Sequence, residues 1–438
     1  MIYQDVLQNP EQFDFTVDSL GTGTFQSPVR GRTFIADDEF VTFASQVKNI
    51  KSLLNKPITF PAFQKAGPRQ KIFFDPAKCR AGIVTCGGLC PGLNNVIKAL
   101  VTVLSQEYGS TSITGFMYGY QGLLKTSQYK PVELTVQMVD TIHRDGGTIL
   151  GSSRENQDTI ELVDTLVRLN IDMLFCVGGD GTQRGAADLV DEIKKRNLPI
   201  SIIGIPKTID NDLRFVEKTF GFETAVHTAS EVITSAHNEA EGADNGIAIV
   251  KLMGRDSGFI AASATLANSV VDFCLIPEIE FTLDELCKAV KRRLDLAHHA
   301  VIVVAEGAGQ TLFSGLPTTK DAAGNILKHD IGSLLKDELS KYFKKNDQKV
   351  SIKYLDPSYH IRSVAAIAND AIFCYLLAEN AVHAAFAGKT GMVAGFWNNY
   401  FTHVPMRLAI HQRQKIDVEG ALWKGVITAT RQNDYFGI

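Results

Sequence analysis

The chain lacks any unbroken run of the roughly 18–20 apolar residues that a membrane-crossing helix needs. Its first residues, MIYQDVLQNPEQFDF, are too acidic and too interrupted for a signal peptide. An excess of basic charge is missing too. The 44 Lys and Arg stand against 48 Asp and Glu, a formal net charge of −4, so bulk charge does not point to nucleic acid and any cationic site must be local. Cysteine is sparse: seven, an odd number, scattered over 438 residues. That argues against a disulfide framework and for a reducing, cytoplasmic setting. Cys86 and Cys90, in CGGLC, have the spacing of half a metal site. With no second Cys/His pair of matching spacing, they read as small strand-end fillers.

What is present is a repeated strand–loop–helix pattern starting near Lys78. RAGIVTC, DMLFCVGG, PISIIGIP, NGIAIVKLMG and HAVIVVAEGAG read as short strands rich in Val and Ile and apolar on both faces. Such strands suit a parallel sheet covered by helices on both sides. Between them, PGLNNVIKALVTVLSQ, GTQRGAADLVDEIKKR, AVHTASEVITSAHNEA, SGFIAASATLA and FTLDELCKAVKRRLDLAHH read as helices. The expected fold is α/β: two doubly wound, Rossmann-like parallel-sheet domains with an N-terminal extension. The expected divisions are an extension at 1–75 that packs on the body, domains at 76–235 and 236–395, and a closing segment at 396–438.

In such sheets ligands bind beyond the carboxyl ends of the strands. Five strand ends here carry unusual residues: CGGLCPG, VGGDGT, PKTIDND, KLMGRDSG and AEGAG. Gly87 and Gly88 let backbone N–H groups approach an anion at a helix start, or simply form a tight turn. No G-K-[ST] and no G-x-G-x-x-G follows, which excludes a Walker A loop and the dinucleotide fingerprint. In GGDGT, Gly179 and Gly181 leave backbone uncovered. Asp180 stands alone there as a Mg²⁺ ligand or a helix cap, and Thr182 offers a hydroxyl to a phosphate.

SIIGIPKTIDNDL runs from strand straight into Lys207, Asp210 and Asp212. In an extended segment the two aspartates point the same way, one to take a proton and one to fix a cation or a donor. Asp212 also fits a turn. Lys207 is either a solvated loop lysine or a phosphate charge. Arg255 and Glu306 end two further strands, and Lys353, Tyr359 and Arg362 occur in IKYLDPSYHIRS. Arg plus Tyr can fork onto a phosphate monoester. Arg154, in GGTILGSSREN, is a solvated loop residue or a clamp on a transferring phosphoryl group.

In their order and spacing, GGLCPGLN, LGSSR, GGDGTQRGA, PKTIDND, KLMGRDSGF, AEG and DPSYHIR resemble the 6-phosphofructokinase family, over residues of about 78 to 400. The long N-terminal extension and PKTIDND are most similar to its atypical ATP-dependent branch, seen in trypanosomatids, spirochaetes and plants. The resemblance implies a two-domain α/β kinase of glycolysis, a homotetramer or homodimer, allosteric as a class, using ATP and Mg²⁺ on fructose 6-phosphate. By motif it implies Asp210 as the general base, with Lys207, Gly181 and Arg255 around the reacting groups. It implies Asp180 as the magnesium ligand. Gly87, Gly88, Arg154, Gly179, Asp180, Gly181, Thr182 and Gln183 would take the nucleotide. Thr208, Ile209, Asp210, Met253, Gly254, Arg255, Glu306, Tyr359 and Arg362 would take the sugar phosphate, with Lys353 sharing the 6-phosphate load.

Two positions bear on the phosphoryl donor. Diphosphate-using relatives usually read GGDD, with a carboxylate in the α-phosphate region. Gly181 leaves room for ATP. Lys207 is the residue diphosphate users carry, although a lysine can serve either donor. A diphosphate-dependent enzyme is therefore the alternative. Glu155, after Arg154, departs from the SSRG of close relatives. NAD and lipid kinases share GGDGT but give no role to TIDND, MGR or DPSYHIR. A non-catalytic regulatory subunit would be expected to lose Asp180 or Asp210.

Overall fold

The computed structural model describes residues 2–56, 58–154, 157–320 and 326–437. They divide into two compact units. The first comprises Met1–Thr208, Leu213–Gly221 and Ser363–Arg413; the second comprises Ile209–Asp212, Phe222–Arg362 and Gln414–Ile438. These limits differ from the divisions at 75, 235 and 395 expected from sequence. The chain passes between units several times, which a pattern read along the sequence does not register.

The first unit is built on a nine-stranded sheet. Its strands are β1 (Phe40–Thr42), β2 (Ala62–Lys65), β3 (Arg80–Thr85), β4 (Ser112–Phe116), β5 (Val132–Glu133), β6 (Met173–Gly178), β7 (Ser201–Pro206), β12 (Met392–Trp397) and β13 (Tyr400–Pro405). The spatial order is β1-β2-β13-β12-β7-β6-β3-β4-β5. The run from β12 to β4 is parallel, as expected for strands buried on both faces. The flanks are antiparallel, so the sheet is mixed rather than wholly parallel.

The expected extension is part of this sheet. Gln64 in β2 pairs with His403 in β13, and Val41 in β1 with Phe63 in β2. Every residue of β6 and β7 is buried. Helix α3 (Asp180–Lys195) packs on both strands, while α8 (Ala368–Phe386) packs on β7 and β12. Helix α1 (Leu93–Thr102) packs along α8, and α2 (Thr159–Arg168) along α3. On the face covered by α2 and α3 the apolar side chains form one core, including Val84, Phe116, Leu174, Ile202, Phe215 and Val393.

The second unit has a four-stranded, all-parallel sheet in the order β9-β10-β8-β11: β8 (Gly246–Leu252), β9 (Phe273–Leu275), β10 (His299–Ala305) and β11 (Ser351–Leu355). Helices α4 (Phe222–Glu241), α5 (Phe259–Asn268), α6 (Leu283–Ala297) and α7 (Ile331–Lys345) cover it. Thr282 and Glu285 close a capping box at the start of α6, satisfying donors the helix cannot pair itself. Helix α9 (Ala421–Thr430) packs on α5, and Phe436 packs edge-on to Phe273. No helix among the described residues is long and apolar enough to cross a membrane.

Candidate active site

In the first unit three strand ends lie side by side, because β3, β6 and β7 are neighbours in register. The chain leaves β3 into Cys86 and Gly87. Gly87 has φ +88, a left-handed conformation that favours glycine. Its N–H donates to the Ser153 carbonyl at 2.8 Å, and the Ser152 hydroxyl donates to its carbonyl at 2.5 Å. The GSSR segment is thus laced to the GG turn, which places exposed Arg154 one residue beyond that contact. Glu155 lies outside the described residues. Cys86 is no metal ligand in waiting: burial pushes its thiol up to about 12. Cys90 is buried as well and donates to the Phe220 carbonyl.

Lys207 follows β7. Its N–H donates to the Gly178 carbonyl at 3.1 Å, and its ammonium donates to the Gly88 carbonyl at 2.6 Å. Only 5% of the residue is exposed. It is not a solvated loop lysine; a buried ammonium braces the glycine turn.

Asp180 opens α3 beyond β6. The expectation that it stands alone does not hold. Arg184, one helical turn on, lies 2.9 Å from its Oδ2, and Arg413 lies 3.5 Å from the same oxygen. The carboxylate still fits a magnesium ion. It sits at a strand end on a glycine-flanked turn, and a Cβ at Gly181 would meet no atom within 4 Å. One carboxylate with open space for phosphate oxygens is what Mg²⁺ commonly takes.

Thr182 and Gln183 point elsewhere. The Thr182 hydroxyl packs against Gly178, where a Cβ would come within 2.1 Å of it. Gln183 is fully buried, and its amide nitrogen donates to the carbonyls of Cys176, Gly178 and Ile205. Both side chains hold β6, β7 and α3 together rather than face solvent.

Ile209–Asp212 belongs to the second unit, although Thr208 and Leu213 on either side belong to the first. Asp210, Asn211 and Asp212 are all buried. Asn211 is left-handed, with φ +50. The segment is therefore a turn, and the alternation argued for an extended stretch does not apply. Gln414 donates its N–H to the Asp212 carbonyl at 2.7 Å, which ties the turn to the C-terminal segment of its unit.

The other second-unit residues gather at the ends of β8 and β10. Gly254 has φ +138, and Arg255 is left-handed at φ +51. The Arg255 N–H donates to Glu306 Oε1 at 3.0 Å, and the Glu306 N–H donates to the Leu252 carbonyl at 2.8 Å. A Cβ on Gly307 would lie 1.8 Å from the Arg255 carbonyl, so only glycine permits this approach. Met253 is half-buried on the same turn. Tyr359 is 77% exposed, with the Arg362 guanidinium 4.7 Å from its ring centroid.

Lys353 does not join the strand-end group. It pairs in register with Ala248, four residues before the end of β8, or about 13 Å back along the strand. There it is exposed, with Glu239 at 4.0 Å. Sequence reasoning missed Arg413. Nothing local in HQRQK singles it out, and its role depends on a contact 233 positions away.

A family model described as phosphofructokinase matches residues 80–385. The ATP-dependent 6-phosphofructokinase of Borreliella burgdorferi is 46% identical over 437 residues, covering 96% of this chain and 97% of that protein. The enzyme of the same name from Trypanosoma brucei brucei is 41% identical, covering 97% and 88%. An Arabidopsis thaliana relative, ATP-dependent 6-phosphofructokinase 7, is 45% identical, covering 86% and 78%. Among solved structures, a pyrophosphate-dependent phosphofructokinase from Marinobacter aquaeolei superposes with a TM-score of 0.67 at 19% identity, covering 80% of this chain and 91% of its own. Pichia pastoris phosphofructokinase in the T-state gives 0.63 at 21%, covering 90% and 46%. At those identities the structures speak for the fold alone.

Proposed function

The chain belongs to the phosphofructokinase family, and we propose that it is an ATP-dependent 6-phosphofructokinase, moving the γ-phosphoryl group of ATP to the 1-hydroxyl of fructose 6-phosphate. The observation that carries the choice of donor is the open space at Gly181 beside Asp180. A carboxylate there would crowd and repel the α-phosphate of ATP, and glycine removes that obstacle. Lys207 remains the residue that diphosphate users carry. Its ammonium is bound to the Gly88 carbonyl, a bracing role that suits either donor.

Phosphoryl transfer needs alignment and charge stabilisation more than covalent chemistry. In this reading the first unit serves the nucleotide. The backbone at Gly88 and Gly179 cradles phosphate oxygens, Gly87 ties that turn to the Ser152–Ser153 segment, Arg154 reaches toward those oxygens, and Lys207, Thr182 and Gln183 hold the turns in place. Asp180 would hold Mg²⁺, whose charge offsets that of the triphosphate. The second unit serves the sugar. Arg255, Tyr359 and Arg362 take its phosphate or hydroxyls, Glu306 fixes the Arg255 turn, and Asp210 removes the proton from the attacking hydroxyl.

The test is formation of fructose 1,6-bisphosphate by purified protein, with Mg²⁺ and either ATP or diphosphate as donor. Turnover with ATP and not with diphosphate is expected; the reverse would reject the proposal.

A further inference from the structure

One group of polar side chains in the first unit has no part in phosphoryl transfer. Glu379 and His383 lie four residues apart on α8, one above the other on the same face. Helix α1 continues into a π-helical turn, Val103–Glu107, a distortion that recurs at functional sites. That turn ends on Glu107. Atoms of Glu107, Glu379 and His383 able to ligate a metal all lie within 4.8 Å of one another.

The imidazole is fixed from behind. The Tyr108 hydroxyl lies 2.8 Å from His383 Nδ1, and the Tyr108 ring stacks on Phe386 at 3.8 Å. His383 is 1% exposed, and its Nε2 has no hydrogen-bond partner among the described residues. Oε2 of Glu107 is likewise buried without one. An Nε2–H would donate to a neighbouring carboxylate, and no such bond is present. In the tautomer whose Nδ1–H donates to the Tyr108 oxygen, Nε2 presents a lone pair to two carboxylates. Acceptors that face one another call for a cation between them.

The cation now beside them is Arg32. Its Nη2 lies 2.9 Å from Glu107 Oε1 and 2.7 Å from Glu379 Oε1, and its side chain is 38% exposed. It engages the carboxylates and leaves His383 Nε2 and Glu107 Oε2 unused.

We propose that Glu107, Glu379 and His383 form a metal site, distinct from the one at Asp180, that takes a divalent ion of the zinc class in competition with Arg32. Bonds of about 2.0–2.2 Å set tetrahedral ligand atoms roughly 3.4 Å apart, so the present spacing needs only modest contraction. One imidazole with two carboxylates suits a borderline ion such as Zn²⁺ better than Mg²⁺, which favours an all-oxygen shell. The Tyr108 hydroxyl supplies the outer partner that ligating histidines usually have. Because the ion and the guanidinium draw on the same two carboxylates, loading the site loosens the hold of Arg32 on Glu107 and Glu379.

The experiment is titration of the chelator-treated full chain, free of nucleotide, with Zn²⁺ against a chromophoric chelator, and with Co²⁺ to read its visible ligand-field bands. One equivalent bound tightly is expected. His383→Gln should weaken it by roughly tenfold or more, and Arg32→Ala, which removes the competing cation, should tighten it. Absence of a bound equivalent in both the native chain and Arg32→Ala would overturn the site and leave a bridging water in its place. Binding that His383→Gln and Glu379→Gln leave unchanged would also overturn it.

Discussion

Asp210 and Gly181 are the two positions where a single side chain should decide whether and with what the enzyme works. Asp210→Ser should lower kcat by about a hundredfold or more while the KM for fructose 6-phosphate changes little, since a general base acts on the transition state. Steady-state kinetics in both substrates checks this, and near-native turnover would remove Asp210 from its role. Gly181→Asp should leave the melting temperature nearly unchanged, because a side chain there starts in open space. Its kcat/KM for ATP should fall by roughly tenfold or more from like-charge repulsion. Much of this was legible as residue type at a strand end: GGDGT, PKTIDND and MGR all mark the ends of strands that exist. Burial was not legible. Lys207 reads as a phosphate charge or a loop lysine, and neither reading anticipates a buried ammonium on the Gly88 carbonyl; Arg413 carries no local signal because its partner is remote in sequence.

Elements position these residues through close approaches that only glycine allows. The turn after β10 meets the turn after β8 at Gly307, and the approach fixes the backbone that presents Arg255. Gly307→Ala should raise the KM for fructose 6-phosphate. It should also destabilise the fold by about 1–3 kcal/mol, the usual cost of forcing extra volume into a packed contact. Kinetics and denaturant melts on the same variant test both effects. The strands and helices themselves were readable from apolar runs and caps: RAGIVTC anticipates Arg80–Thr85, and HAVIVVA is the strand His299–Ala305. At Asn211 a turn was one of two readings, beside the extended one. Its left-handed backbone depends on surrounding contacts such as that between Gln414 and Asp212. Lys353 was read only with the turn that follows it; that IKYL is a strand, and that Lys353 pairs four residues short of the end of β8, comes from the register alone.

At the scale of the whole molecule, the sequence conveyed an α/β fold but not the joining of residues 40–42 and 62–65 to a sheet completed near the other end of the chain. Short, polar-flanked strands at an edge carry little periodicity of their own. One consequence can be measured as a pH effect. His403, on β13, is buried, with its Nδ1 3.1 Å from Gln64 Oε1. Burial, then the nearby charges of Arg69 and Lys389, holds its pKa well below the ordinary value, while Asp37 opposes them weakly. The native ring stays neutral while an unfolded one takes a proton near pH 6.5. Stability is therefore full above that pH and declines as pH falls toward the native pKa. The share due to His403 should be about 2 kcal/mol between pH 7.5 and pH 5. Denaturant melts at the two pH values measure it, and His403→Gln should flatten the dependence by that amount.

The pairing of β2 with β13 also fixes a timetable. During synthesis β1 and β2 leave the ribosome first, and the strand that joins them to the sheet is more than 330 residues behind, as the Gln64–His403 pair records. Strand β12, which lies between β13 and β7, is late as well. Until β12 emerges, β7 is an unpaired edge on an incomplete sheet, and contacts this distant in sequence form slowly. A ribosome-stalled chain ending near residue 390 should be cleaved readily by protease within 36–66, and one long enough to expose residue 413 should resist. The early part of this enzyme waits for its late part, and in that interval it depends most on whatever shields nascent chains from aggregation.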